Sequence, residues 1–344
     1  MALLWCDGFE HYGTDTTRMV DGLWSTPPNV LFSSMSTDSP RTGNYSLLVY
    51  SGAEARRALG KTVTTLGFGL AFRMSGLPGT PNQSFWELRD KNNVTNLTLV
   101  VQTTGILQVW RGTVSSGTMI VESDGPVIRA RSWSNIETMA TFDNTTGSVE
   151  VRLNGVTVIN KTALDTVSSS GAAECSQIIL GGSSVATRYG DMYVYDTSGS
   201  YNNTWMGDRR VRALTPSADT AQADWTGSYT DIDDLDPDDD TTYLSANTPG
   251  SPSESSSEFD LSNLPVTAGD VAAVVTVTRS TKDEAGVADL QTGVVSGGSE
   301  NRGDVKQITQ GYTYREDIFE TDPNSGVPFT GSDVDGLKLQ INRV

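Results

Sequence analysis

The sequence is poor in the side chains that most often carry chemistry. It holds one histidine, His11, and two cysteines, Cys6 and Cys175, in 344 residues. A Ser-His-Asp or Cys-His arrangement would have to use His11, and no Gly-x-Ser-x-Gly elbow accompanies it. A single histidine also excludes metal sites built on that residue type, so His11 reads as a surface or turn residue. Two cysteines outside any CxxC spacing supply neither a disulfide framework nor a structural zinc site. Buried, reduced thiols are the simplest expectation, and a bridge stays open because both lie in the same predicted domain.

Other absences narrow the field further. No run approaches the 18 or so apolar residues of a membrane span. The opening residues 1–7 lack a basic stretch followed by an apolar one, so no signal peptide is expected and synthesis in a reducing cytosol fits. Basic residues are scarce, 24 against 42 acidic, for a net charge of −18. Such a surface repels phosphate backbones and argues against a nucleic-acid partner. No repeat, heptad or collagen-like period appears, so the chain is not itself a fibre shaft. The E-x-D-x-x-E pattern of sandwich glycoside hydrolases is also missing. Glu137 and Asp143 are too widely spaced, and Glu150 alternates with Arg152 instead of another acid. No enzyme is expected.

What is present points to strands. Only 36% of residues are apolar, 34 are glycine, and Ser and Thr crowd the gaps between short apolar runs. Residues 66–74 (LGFGLAFRM) place Leu66, Phe68, Leu70 and Phe72 at period two, a half-buried strand. Residues 97–102 and 106–111 flank Thr103-Thr104-Gly105 as a hairpin, and residues 133–142 form another strand. In residues 148–160 (SVEVRLNGVTVIN), Val149, Val151 and Leu153 share a face. Asn154-Gly155 then supplies a type I′ turn, and Val156 and Val158 are expected to continue that face. Residues 177–180 and 191–195 close the first domain. Beyond an acidic and Ser/Pro-rich stretch, residues 271–279, 290–295, 312–319 and 337–341 read as strands of a smaller unit.

Two sets of residues are candidates for binding. Tryptophan faces suit sugar rings, and the chain offers Trp5, Trp24, Trp86, Trp110, Trp133 and Trp205. Trp86, Trp110 and Trp133 fall within strand-like runs and read as core. Trp24, near Pro27-Pro28 in a predicted loop, is therefore the glycan-binding candidate. The run in residues 230–240 (TDIDDLDPDDD) offers Asp231, Asp233, Asp234 and Asp236 as calcium ligands. EF-hand spacing fails there, and a solvated acidic loop is the preferred reading.

The strings WCDGFE (5–10), VEVRLNG (149–155) and YGDMYVYDTSG (189–199) resemble concanavalin A-like, or laminin-G-like, sandwich domains. Residues 191–226, which contain GDRRV and ADW, are similar to a segment of tailed-bacteriophage virion proteins. Residues 233–244, 311–330 and 334–341 follow the same order. The resemblance implies a tail- or fibre-type particle protein and carries over no catalytic residues.

The expectation is an all-β chain: a concanavalin A-like jelly-roll sandwich in residues 1–208, an acidic Ser/Pro-rich connector in 209–258, and a smaller β-sandwich in 259–344. The expected role is structural, in a virion made in the host cytoplasm, through contacts with other virion proteins. Exposed sheet edges point to a homo-oligomer, with a trimer the favoured form. The alternatives are a glycan-binding host-recognition adhesin, using loops of the first sandwich, and a capsid-surface decoration protein.

Overall fold

A computed structural model describes residues 1–25, 34–50, 52–181, 184–222, 225–246, 256–265 and 269–344. Pro27, Pro28 and residues 251–255 of the predicted linker lie outside the described residues. The chain separates into two compact units: Met1–Phe9 with Thr14–Val211, and Glu10–Gly13 with Arg212–Val344.

The first unit contains β1 (Leu3–Asp7), β2 (Ser34–Ser36), β3 (Ser46–Val49), β4 (Glu54–Val63), β5 (Thr65–Met74), β6 (Gln83–Arg89) and β7 (Thr95–Val101). It continues with β8 (Leu107–Arg111), β9 (Thr118–Glu122), β10 (Ser134–Thr141), β11 (Gly147–Leu153), β12 (Val156–Leu164), β13 (Cys175–Gly181) and β14 (Thr187–Asp196). They form two antiparallel sheets, an eight-stranded one ordered β12-β11-β10-β5-β14-β3-β2 with β1 on β14, and a six-stranded one ordered β4-β13-β6-β7-β8-β9. This is the expected jelly-roll sandwich. Aromatic rings lock the sheets together. Phe68 on β5 meets Trp86 on β6 at 5.3 Å, and Phe72 meets Phe85 at 4.8 Å, both edge to face, a geometry that adds about 0.5–1.5 kcal/mol per pair.

Strand β5 is buried on both sides rather than one. Its inward residues are the period-two set read from the sequence. Its outward positions, Gly67 and Gly69, are covered by the rings of Tyr195 and Tyr193 on β14. The β11–β12 hairpin turns at Asn154 and Gly155, with φ of 50° and 79°, as type I′ requires. A bulge beyond the turn then pairs Arg152 with Thr157 but Val151 with Ile159. It sets Ile159 instead of Val158 in the core, and Val156, opposite Leu153 beside the turn, is 65% exposed, which corrects the expectation that Val156 and Val158 continue the apolar face.

No disulfide joins Cys6 and Cys175; Cys6 is half-buried and Cys175 buried. Burial pushes the Cys175 thiol up to about 12, so almost no thiolate forms at neutral pH. Iodoacetamide at pH 8 is expected to spare Cys175 in the native protein and modify it in denaturant, read by peptide mass. Labelling at equal rates in both conditions would contradict this burial.

The second unit contains β15 (Pro216–Ala221), β16 (Ser256–Leu261), β17 (Val274–Ser280), β18 (Asp289–Ser296), β19 (Ser299–Arg302), β20 (Lys306–Gln307), β21 (Thr313–Phe319), α1 (Gly331–Asp335) and β22 (Lys338–Arg343). A sheet ordered β15-β16-β22-β18-β19, with β20 on β18, faces the ribbon β17-β21. Thr292 joins the two layers, 2.8 Å from Thr276 and 2.8 Å from Asp317. Val294, Phe319, Phe329, Val334 and Leu337 form one apolar cluster; Phe259, Leu290 and Ile341 form another. Strand β15 and a 3-10 turn at Tyr229–Asp231 lie within the stretch read as a connector, and both belong to this unit.

Candidate functional site

Trp24 is not placed as a sugar platform. It is 3% exposed, and its ring packs against Trp5 and Phe9. Its Nε1 donates to Asp7 Oδ2 at 2.8 Å. The same buried carboxylate accepts from Arg57 at 3.2 Å, and the Arg57 guanidinium lies 4.1 Å from the Trp5 ring centroid. Trp24 is thus a structural residue.

The acidic run is exposed at Asp234, Asp236, Asp238 and Asp240 and half-buried at Asp231, Asp233 and Asp239, and several of its carboxylates have partners. Asp231 accepts from the Ser228 backbone N–H at 2.8 Å, and Asp234 from the Thr242 hydroxyl at 3.4 Å. Asp236 lies against Gly13. Asp239 pairs with Arg279 at 2.6 Å, and Asp240 accepts from the Tyr312 hydroxyl at 2.8 Å. Burial, then Asp240, pushes the Tyr312 phenol upward. Asp231, Asp233, Asp234 and Asp236 do not converge: among the described residues no cluster of three or more His, Cys, Asp or Glu is arranged to hold a metal. The His11 ring, in a 3-10 turn, lies tilted 4.0 Å from Tyr12 and edge-on 5.2 Å from Tyr314.

The six-stranded sheet has a different outward face. Directly opposed residues of an antiparallel ladder point the same way. The pairings therefore align Arg56, Ile179, Glu87, Thr98, Trp110 and Met119 in one row across all six strands. Five strand spacings of about 4.8 Å make the row roughly 24 Å long. Its short members, Ile179 and Thr98, are buried; Glu87 and Trp110 are half-buried, and Met119 is exposed.

The polar members of this face hold one another. Glu87 accepts from Arg89 at 2.7 Å and from the Thr95 hydroxyl at 2.9 Å. Gln108 Oε1 accepts from Trp110 Nε1 at 3.2 Å and from Gln102 at 2.6 Å, while its amide donates to Glu122 at 2.8 Å. Such cross-bonding fixes planar side chains beside an indole before any ligand arrives, which reduces the ordering entropy lost on binding. An open cavity of ≈ 330 Å³ adjoins the face, lined by Thr95, Arg111 and the Ser168 region.

Sequence reasoning put Trp110 in the core, yet the signal that corrects it was present. In LQVWR, period two sets Leu107 and Val109 on one side and Gln108 and Trp110 on the other. The structure follows that alternation, with Leu107 and Val109 buried and Gln108 and Trp110 half-buried.

The outward face of the eight-stranded sheet is closed instead of open. The Tyr193 hydroxyl lies 2.8 Å from Glu137 and 2.6 Å from the Gly207 carbonyl. The Gly207 N–H donates to Glu137 at 2.8 Å, and Arg152 stacks 3.8 Å from the Trp205 centroid. Burial, followed by the Glu137 charge, drives the Tyr193 phenol upward.

No protein-family model matches the sequence, and no curated protein matches it. The reading as a tailed-phage particle protein therefore rests on the sequence strings alone. Solved structures of similar fold include an endo-β-1,4-glucuronan lyase from the fungus Trichoderma reesei (12% identity, 51% of this chain and 92% of that one, TM-score 0.41). The carbohydrate-binding module CBM66 from Bacillus subtilis is another (11%, 52% and 98%, 0.36). A third is a conserved carbohydrate esterase from the Shiga toxin-encoding bacteriophage phi24B (13%, 57% and 99%, 0.37). The expectation that the chain is no enzyme does not stand, since a lyase and an esterase are among the structures of similar fold, although likeness at this identity shows the fold alone. The missing E-x-D-x-x-E pattern speaks only to hydrolysis by a carboxylate pair.

Proposed function

We propose that the first unit is a glycan-binding module that lays a carbohydrate chain across the outward face of its six-stranded sheet. The observation that carries this reading is Trp110: a half-buried indole, pinned through Nε1 to Gln108 and flanked by the exposed Met119. An apolar ring face meets the C–H side of a pyranose, while neighbouring amide, carboxylate and guanidinium groups meet its hydroxyls. The site is a sheet face, not the loops expected from the sequence. The strings resembling tailed-phage particle proteins support a virion setting, in which such a module would act in host recognition within a homo-oligomer.

Binding to a panel of neutral and acidic oligosaccharides, by array and then calorimetry, tests the reading. Trp110→Ala is expected to weaken binding by about 2 kcal/mol, roughly thirtyfold in Kd, with melting temperature little changed. Trp24→Ala, by contrast, is expected to destabilise the fold by about 3–5 kcal/mol, as large buried aromatics do. Undiminished binding by folded Trp110→Ala, or no binding by the native protein, would overturn the assignment.

A further inference from the structure

We infer that the cavity at the ends of β7 and β8 is a separate subsite for one neutral sugar unit of the same chain, an inference that rests on the glycan-binding reading above. Its ≈ 330 Å³ lies at the lower end of the roughly 300–1,000 Å³ of small-molecule sites, the size for a single ring instead of a polymer segment. Thr113, Ser116 and Thr118 line it from the β8–β9 side, and Ser168, Ser169 and Ser170 line it from the segment after β12. Each hydroxyl both donates and accepts, which suits a ligand whose own groups do the same.

Both segments are held in place. On one side Gly117 N–H donates to the Thr113 carbonyl at 2.6 Å, and the Thr113 and Ser116 hydroxyls are 2.9 Å apart. A β-carbon on Gly117 would fall 2.3 Å from the Arg111 carbonyl oxygen, so this turn requires glycine. On the other side buried Asn96 donates to the Ala172 and Glu174 carbonyls at 2.7 and 3.0 Å and accepts from Ser168 N–H at 3.0 Å.

Charge decides the ligand class. Among the described residues that line the cavity the one cation is Arg111, which is ion-paired with Asp165, so the pair offers no net charge. The protein as a whole carries −18, which repels polyanions such as uronate polymers. Continuity with the sheet face comes through Thr95. Its hydroxyl, which bonds Glu87 on the face, belongs to a residue that lines the cavity. Thr95 and Thr98 are three residues apart on β7, roughly 10 Å at 3.3 Å per residue, and Thr98 is opposite Trp110. One oligosaccharide spans that distance.

Calorimetric titration with neutral gluco-, manno- and xylo-oligosaccharides of increasing length, beside matched uronic-acid oligomers, tests the assignment on the full chain. Affinity for a bound neutral series is expected to rise with length. Ser168→Phe and Thr118→Phe, which fill the cavity from two separate segments, are expected to cut affinity for the longer oligomers about tenfold and to leave the short ones unchanged. Trp110→Ala is expected to weaken every length. Native-like length dependence in both filling variants would overturn the subsite while leaving the sheet face intact, and so would uronic-acid binding that the fillings abolish. Native protein that binds none of the oligomers would overturn both.

Discussion

Replacing Asp7 with alanine is expected to lower the melting temperature of the first unit by on the order of 10 °C, from a loss of about 3–5 kcal/mol at roughly 2–4 °C per kcal/mol. The Asp7 side chain is wholly buried. Its Oδ1 accepts the Phe9 backbone N–H at 2.7 Å, and its Oδ2 takes both Trp24 Nε1 and Arg57. Alanine would strip an acceptor from an indole N–H and a counter-charge from a guanidinium that is itself only 4% exposed. A buried charge left in that state is far more costly than the pair is beneficial. Asp7→Asn keeps the shape and an acceptor, so its loss is expected to be smaller. Calorimetric unfolding decides the matter: a loss below about 1 kcal/mol, the range of exposed pairs, would show that Arg57 is not held by this carboxylate.

Gly69→Ala and Gly67→Ala are each expected to destabilise the sandwich by about 1–3 kcal/mol, the usual penalty of overpacking. A β-carbon on Gly67 would sit 2.1 Å from Tyr195 Cζ, and one on Gly69 would sit 2.2 Å from the Tyr193 hydroxyl oxygen. Neither ring has an easy way out, because both are buried. Gly79→Ala, where a β-carbon meets nothing within 4 Å, serves as the neutral control. The double variant Gly69→Ala with Tyr193→Ala should lose less than the sum of its parts, since the clash exists only while the ring is present. Strict additivity in denaturant melts would refute the contact.

The alternating strands of the first unit were legible because each follows a local rule. Period two marked β5, and Asn154-Gly155 marked the β11–β12 turn. What local pattern omits is the partner. Nothing in LGFGLAFRM says that two tyrosines more than a hundred residues away will cover its glycines. The bulge that sets Ile159 instead of Val158 opposite Val151 arises from ladder register, which a single strand does not encode. Trp24 was misread because a proline-rich neighbourhood suggested a loop, whereas a buried carboxylate seventeen residues earlier decides its position. Trp110 was misread the other way, by treating a strand tryptophan as core without asking which side of the strand it occupies. The exposure of the acidic run was legible in its composition, which reports charge density and not partners. Arg279 and Tyr312, which engage Asp239 and Asp240, lie 40 and 72 residues away.

The membership of the second unit bears on how the chain can be divided. Residues Glu10–Gly13 belong with Arg212–Val344, and within that set the Tyr314 hydroxyl bonds the His11 carbonyl at 2.7 Å while Tyr12 meets the Tyr314 ring at 5.4 Å. A fragment beginning at residue 212 would forfeit this aromatic clasp, and one beginning at 259 would also forfeit β15, an outer strand of its principal sheet. Separability here is a property of contacts rather than of sequence order, and no single scission yields two intact halves.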